Sequence, residues 1–85
     1  MSYQVWLMPQ AQKDLDGFRG KLHAKFESII LGLYENPRPH NSKKLSGSGS
    51  RYRIRAGDYR ILYELDEQKK IVRVYRIVNR KEAYR

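Results

Sequence analysis

The chain has 85 residues, no cysteine, and 18 Lys plus Arg against nine Asp plus Glu, which gives a formal net charge of +9. This length predicts a single domain, residues 1–85, with a modest core, and the lack of cysteine excludes disulfides, thiolate nucleophiles and cysteine-based zinc sites. The positive charge favours a polyanionic partner, either nucleic acid or an acidic protein segment. No apolar run approaches the roughly 20 residues of a membrane span, so we expect a cytoplasmic protein without membrane contact.

The first part of the chain predicts one strand followed by two helices. Apolar residues within 3–8 indicate a strand. Pro9 can begin a short helix, because the N–H groups of a first helical turn have no partner within the helix and the lack of one in proline costs nothing there. A second, longer helix is predicted over residues 21–34 by an apolar stripe of Leu22, Phe26, Ile29, Ile30 and Leu33. Pro37 and Pro39 end this helix. His40 has no ligand-type residue at metal-binding spacing, so we expect no metal and no cofactor.

Residues 51–85 carry three strand patterns and eleven of the 18 basic residues. Strict alternation places Arg51, Arg53 and Arg55 on one face of the first of these strands. A turn at residues 56–58 leads into a second strand, and a polar stretch then separates it from a strand rich in β-branched residues at 70–78. These patterns predict an antiparallel meander with a cationic face.

The predicted fold is α+β with the order β-α-α-β-β-β: a four-stranded, mainly antiparallel twisted sheet with two helices on one face. The strand at 70–78 is apolar on both faces, so we expect it to be central and to pair with the first strand. The Gly/Ser-rich residues 43–50 are expected to form a flexible loop. Alternation directs Arg53, Arg55 and Arg60 away from the helices, and it directs toward them Tyr52, Ile54, Tyr59, Ile61 and Tyr63.

Several linked segments resemble one known family. They are the sequence Tyr-Arg-Ile-Arg at residues 52–55, the run 57–63, an acidic turn, the β-branched strand, and Asn79-Arg80-x-x-x-Tyr84. In this order, and with residues 35–39 and 44–47 upstream, they resemble the RelE-type toxins of the RelE/ParE toxin–antitoxin superfamily. The resemblance implies a ribosome-dependent endoribonuclease that cleaves mRNA in the A site by attack of a ribose 2′-OH on the adjacent phosphate. It also implies an acidic, partly disordered RelB-like antitoxin as a partner.

The resemblance assigns roles to individual residues. Arg60 and Arg80 would bind the scissile phosphate, and Tyr84 stands at the family's C-terminal aromatic position, where it would stack on a base or transfer a proton. Arg51, Arg53 and Arg55 would bind RNA beside them, because a guanidinium binds phosphate oxygens bidentately and stays charged. Arg80 and Tyr84 have a structural alternative, in which they end the strand and pack the C-terminal tail.

The proton-transfer residues are where this chain departs from the family. Many members carry lysine where Arg53 and Arg55 stand, and others carry histidine at the position of Asn79. The remaining candidates for proton transfer are Glu82, Glu64, Asp58 and Tyr84. Two alternatives therefore stay open: a ParE-like inhibitor of DNA gyrase, and a catalytically inert binding protein of the same fold.

Two further sets of residues are predicted to be structural. Arg73 and Arg76 are interpreted as solvated or ion-paired strand charges. The tyrosines of the three C-terminal strands are interpreted as core aromatics with hydroxyls at the rim: Tyr52, Tyr59, Tyr63 and Tyr75.

Overall fold

Two helices and five strands follow one another in the computed structural model, which describes residues 2–45, 47 and 49–81. They are β1 (Gln4–Leu7), α1 (Pro9–Asp16), α2 (Gly20–Gly32), β2 (Ser42–Lys44), β3 (Arg51–Ala56), β4 (Tyr59–Asp66) and β5 (Ile71–Asn79). The predicted α+β class and the β3–β4–β5 meander are confirmed. Neither helix in this part of the chain is long and apolar enough to span a membrane.

The strands form one sheet in the order β1-β5-β4-β3-β2, in which β1 runs parallel to β5 and the other neighbours are antiparallel. The predicted pairing of β5 with β1 is confirmed. β5 lies inside the sheet, as predicted, but the middle strand of the five is β4. The prediction of four strands was wrong, because β2 adds a fifth at the edge beside β3. Its three residues, Ser-Lys-Lys, have neither β-branched side chains nor apolar alternation, so only the pairing with β3 makes them a strand.

The core lies between the two helices and one face of the sheet. Its buried side chains are Ala11, Leu15, Phe26, Ile30 and Leu33 from the helical half, and Ile54, Ala56, Ile61, Tyr63, Leu65, Val72, Val74 and Ile77 from the sheet. The five side chains of β3 and β4 that alternation directed toward the helices all belong to this core or pack against it. Phe18, Phe26 and Tyr59 join the helices to β4 through edge-to-face contacts, with ring centroids 4.8 to 5.4 Å apart.

The loop between α2 and β2 is attached to the sheet by side chains. The hydroxyl of Tyr63 donates a hydrogen bond of 2.7 Å to the carbonyl oxygen of Pro37. Arg38 donates to the hydroxyl of Tyr52 and forms an ion pair with Glu67 in the β4–β5 turn. These contacts determine where the loop ends, and therefore where β2 meets the sheet.

A β-bulge interrupts β5. Leu62 of β4 pairs with Arg76, whereas its neighbour Tyr63 pairs with Val74, so Tyr75 is an extra residue. The extra residue shifts the alternation of β5 by one position. Core side chains that precede the bulge and core side chains that follow it therefore both face the helices. Tyr75 is consequently only half-buried and lies on the other face of the sheet, which corrects the prediction that it is a core aromatic.

Candidate nucleic-acid interface

The face of the sheet that points away from the helices, called here the open face, carries most of the predicted site residues. Its polar and aromatic side chains include Trp6, Lys43, Arg51, Arg53, Arg55, Arg60, Glu64, Arg73 and Tyr75. Side chains of residues paired across neighbouring strands stand on the same face, so the pairing register shows which of these residues are neighbours.

Like charges stand opposite one another at one end of the open face. Arg55 of β3 pairs with Arg60 of β4, and Lys43 of β2 pairs with Arg53 of β3. We call these four residues the basic patch. Like charges directly opposite in a sheet are destabilising, so a fold under no other demand would avoid two such pairs. Among the described residues, no carboxylate forms an ion pair with Lys43, Arg53 or Arg55. These three side chains therefore offer positive charge to an external anion.

Arg60 occupies the interior of the basic patch. It points away from the helices, as predicted, but its exposed fraction is only 2%. Its Nη1 donates a hydrogen bond of 3.2 Å to the carbonyl oxygen of Tyr59. A buried guanidinium is costly to desolvate and keeps its charge in any surroundings. Arg60 is therefore a permanent positive charge held rigidly within the sheet.

Arg80 lies at the same end of the sheet as the basic patch. Its backbone N–H donates to the carbonyl oxygen of Asp58, in the β3–β4 turn, at 2.7 Å. Arg80 also follows two residues after Val78, the cross-strand partner of Arg60. An open cavity of about 680 Å³ adjoins it, lined by Asp58, Asn79, Arg80 and Lys81. The fold thus brings Arg60 and Arg80, which the family resemblance assigned to one phosphate, to the same end of the sheet. Tyr84 and Glu82 lie outside the described residues.

Arg51 is separated from the other predicted RNA-binding residues. It belongs to a row of cross-strand neighbours that runs Trp6, Arg73, Glu64, Arg51, which we call the mixed row. The Nε of Arg51 lies 3.5 Å from an Oε of Glu64, and its guanidinium carbon lies 5.6 Å from the ring centroid of Tyr75. The charge of Arg51 is therefore compensated within the sheet, unlike the charges of Lys43, Arg53 and Arg55.

The carboxylates named as proton-transfer candidates differ in their distance from the basic patch. Glu64 is ion-paired with Arg51 and lies four residues along β4 from Arg60, roughly 13 Å at the usual strand rise. Asp58 lines the cavity beside Arg80. Burial raises the pKa of the Tyr75 hydroxyl, an effect that the charge of Arg51 opposes, so this phenol stays protonated near neutral pH. Asp58 is thus the described candidate nearest to the predicted phosphate site.

The sequence reasoning missed Lys43. Residues 43–50 were predicted to form a loop. In the structure Lys43 belongs to β2, and its pairing with β3 places it on the open face opposite Arg53. The one available signal was a pair of lysines directly before the Gly/Ser stretch.

Within the described ranges, no group of three or more His, Cys, Asp or Glu side chains could hold a metal ion.

Comparison with known proteins places this chain in a family. A family profile described as "ParE toxin of type II toxin-antitoxin system, parDE" matches residues 5–84. A curated protein of Methanocaldococcus jannaschii, described as a toxin and named RelE1, is 31% identical over 88 residues, which cover 100% of this chain and 98% of that protein.

Solved structures have the same architecture. A chain of the archaeal RelE–RelB complex from Pyrococcus horikoshii superposes with a TM-score of 0.83 at 28% identity, covering 94% of this chain and 97% of that chain. A chain of the RelB–RelE complex from Methanococcus jannaschii gives 0.77 at 25% identity, covering 93% and 94%. The isolated E. coli RelE toxin gives 0.79 at 24% identity, covering 98% and 92%, a likeness that concerns the fold alone. Profile, sequence identity and superposition agree, so this chain belongs to the RelE/ParE superfamily and is a RelE-type toxin of a type II toxin–antitoxin system.

Proposed function

We propose that this toxin is a ribosome-dependent endoribonuclease that cleaves mRNA in the A site. The observation that carries the proposal is the pair of like-charged cross-strand contacts, Arg55 with Arg60 and Lys43 with Arg53. Such pairs cost stability, and an anion that lies over them offsets this cost. The phosphates of an RNA strand supply that anion along the whole patch.

The reaction is an internal phosphoryl transfer. The ribose 2′-oxygen forms a bond to the adjacent phosphorus, and the bond from phosphorus to the 5′-oxygen of the next nucleotide breaks. A base takes up the proton of the 2′-OH, and an acid delivers a proton to the leaving 5′-oxygen. Negative charge accumulates on the non-bridging oxygens in the transition state. Arg60 and Arg80 are proposed to stabilise that charge, because preorganised guanidinium groups need no reorganisation as it develops.

The proton transfers are proposed to contribute less than the charge stabilisation. Arg53 and Arg55 stay protonated under any plausible perturbation, so neither accepts the 2′-OH proton. Asp58, beside Arg80, is one carboxylate in reach of that end of the sheet, and Glu82 and Tyr84 stay candidates from the sequence. Correct positioning of the mRNA by the ribosome would then supply much of the rate enhancement.

A RelB-like antitoxin is the proposed protein partner. The Pyrococcus and Methanococcus structures that this chain resembles are complexes of RelE with RelB. An acidic, partly disordered antitoxin segment fits a toxin with a formal net charge of +9. Binding of such a segment over the basic patch would exclude RNA, in a complex that we expect in the cytoplasm.

The decisive experiment adds purified toxin to a reconstituted translation system with one defined mRNA. Primer extension then maps cut sites with and without ribosomes, for the wild type and for Arg60→Ala and Arg80→Ala. We expect cuts within codons that require translating ribosomes and that decrease strongly in both variants. Folded wild-type toxin that leaves the mRNA intact, or an Arg80→Ala variant that cuts as well as the wild type, would contradict the proposal.

A ParE-like inhibitor of DNA gyrase is the second candidate function. It is favoured by the matching family profile, whose description names ParE toxins, and by the arginines and asparagine that stand at lysine and histidine positions. A supercoiling assay with purified gyrase separates the two functions. Inhibition of supercoiling together with intact mRNA would support this candidate, and intact mRNA with unaffected gyrase would indicate an inert binding member of the fold.

A further inference from the structure

Trp6, the one tryptophan of the chain, is placed on the open face although it is large and apolar. Its neighbours Val5 and Leu7 pack against the core, so alternation along β1 turns Trp6 to the opposite face. The exposed fraction of Trp6 is 47%. Nearly half of an indole surface is thus available on the same face of the sheet as the basic patch.

Two polar neighbours hold the Trp6 ring in place. The indole Nε1–H donates a hydrogen bond of 3.1 Å to Oε1 of Gln4. The guanidinium carbon of Arg73, the cross-strand partner of Trp6, lies 5.6 Å from the ring centroid, within the range of a cation–π contact. The ring is therefore preorganised as a flat surface with a positive charge over it.

A second pair of the same kind lies further along the mixed row, where the guanidinium of Arg51 lies 5.6 Å from the Tyr75 ring centroid. Between the two pairs stands Glu64, which forms the ion pair with Arg51. This carboxylate lowers the local positive charge, so the mixed row is less suited to phosphate than the basic patch is. Aromatic rings and guanidinium planes are, however, the groups on which unpaired RNA bases stack.

We propose that Trp6, with the guanidinium of Arg73 over its ring, is a stacking site for a nucleobase of single-stranded RNA whose phosphates lie on the basic patch. The inference rests on the proposed function, because it assumes RNA on the open face. Trp6 and Arg60 are separated by two strand spacings and by four residues along the strand direction, or roughly 16 Å. A few nucleotides of extended RNA span that distance. Proteins that bind single strands combine a basic track with aromatic stacking surfaces in this way.

The test uses the fluorescence of Trp6, which reports on this site alone because the chain has no other tryptophan. A short single-stranded oligoribonucleotide is titrated into the full-length toxin at low salt. In parallel titrations it is replaced by an abasic oligomer of equal charge and by inorganic polyphosphate. The oligonucleotide carries a fluorescent label, and its binding is followed independently through the anisotropy of that label. We expect quenching of Trp6 by the oligonucleotide, and little quenching by the two ligands without bases.

Variants turn the same prediction into an affinity measurement. We expect Trp6→Ala to weaken oligonucleotide binding about tenfold, the usual order for loss of one base-stacking side chain, and Trp6→Phe to weaken it less. The matched control is Tyr34→Ala, because Tyr34 is similarly exposed at 39% but lies after α2, in a cavity on the helix side of β1. Circular dichroism and thermal unfolding of each variant establish that it is folded.

The possible outcomes separate the inference from the function on which it rests. Oligonucleotide binding seen by anisotropy, without Trp6 quenching and with unchanged affinity in Trp6→Ala, would overturn the stacking site and leave the basic patch intact. If Arg55→Ala loses oligonucleotide binding while Trp6→Ala keeps it, the stacking site is likewise overturned and the basic patch is left intact. No binding by either readout would overturn the stacking site, whereas the cleavage function is decided by the translation assay described above. Quenching by a glutamate-rich peptide and not by RNA would assign Trp6 to a protein partner and overturn the inference.

Discussion

Asp14 of α1 accepts a hydrogen bond of 2.9 Å from the Nε of Arg76 on β5, a residue 62 positions later in the chain. The same carboxylate oxygen accepts a second bond, also 2.9 Å, from the backbone N–H of Ile77. β1 pairs with β5 only as far as Val74, so Asp14 satisfies an edge N–H that no strand covers. The interpretation of Arg76 as an ion-paired charge is thereby confirmed.

Removal of this carboxylate should destabilise the protein. We expect Asp14→Ala to lower the free energy of unfolding by about 2 kcal/mol, because it loses a charge-assisted bond and leaves the Ile77 N–H without its acceptor. Urea denaturation measures the change. The control is Asp16→Ala, since Asp16 is exposed and, within the described part of the chain, bonds only to Gln12 across one turn of α1. This substitution should change stability by less than about 0.5 kcal/mol. Equal effects of the two substitutions would contradict this account of the α1–β5 contact.

The same residue predicts an acid dependence of stability. Burial pushes the pKa of Asp14 upward, but the hydrogen bonds from Arg76 and Ile77 outweigh it, so the pKa lies below its ordinary 3.8. A carboxyl whose pKa is depressed on folding stabilises the protein above its unfolded pKa, and this contribution disappears as the pH falls through the folded value. Unfolding measured from pH 6 to pH 2 should therefore show a loss below about pH 4 that is smaller in Asp14→Asn. An equal loss of stability with falling pH in the wild type and in Asp14→Asn would show that Asp14 does not cause this acid dependence.

The pKa of Tyr63 predicts that the stability of the protein depends on pH in the alkaline range. Burial raises its pKa to about 12, from an ordinary 10.0, and its hydroxyl donates to Pro37. A group with a raised folded pKa contributes its full stability below the unfolded value, so stability should fall between about pH 10 and pH 12. Tyr63→Phe should remove part of this dependence and cost about 1 kcal/mol at neutral pH through the lost bond to Pro37. Tyr34→Phe, which changes an exposed phenol, is the control in the same pH titration.

The like-charged pairs of the basic patch predict that stability and function change in opposite directions. Arg55→Ala should raise the free energy of unfolding by roughly 0.5 kcal/mol, because it relieves the repulsion of Arg60 across the strands. The same variant should reduce mRNA cleavage about tenfold or more through loss of charge at the phosphate site. Arg55→Glu should be the more stable of the two and inactive. Lys21→Ala removes an exposed charge at the start of α2 and should alter neither property, so an equal loss of cleavage there would point to total charge instead of placement.

Gly57 predicts a conformational cost in the β3–β4 turn. Its φ is +62°, a value that side chains with a Cβ rarely adopt, although a Cβ would meet only the Lys25 Nζ at 3.5 Å. Gly57→Ala should therefore destabilise by about 1 kcal/mol through backbone strain and not through a clash. Gly32→Ala, at the end of α2 with open space around its Cα, should be neutral or slightly stabilising. Thermal unfolding of both variants tests the contrast, which would be absent if the turn relaxed without cost.

The sequence by itself determined the parts of this protein that depend on local periodicity. Alternation in β3 and β4 was sufficient to separate the side chains that enter the core from the arginines of the open face, because a strand has a strict period of two. The apolar stripe that contains Phe26 and Ile30 was likewise sufficient for α2. The order of the family's segments gave the RelE-type assignment without any coordinates.

Tertiary pairing decided the features that no local pattern encodes. β2 exists only because β3 is beside it, and Lys43 joins the basic patch for that reason. The bulge at Tyr75 is a property of the β4–β5 register, which no count along a single strand reveals. Cross-strand neighbours also separated Arg51, compensated by Glu64, from Arg55, which stands opposite another arginine. The sequence determines how many charges the sheet carries, but their energies depend on which residues lie about 5 Å away across the strands, and only the folded register establishes that.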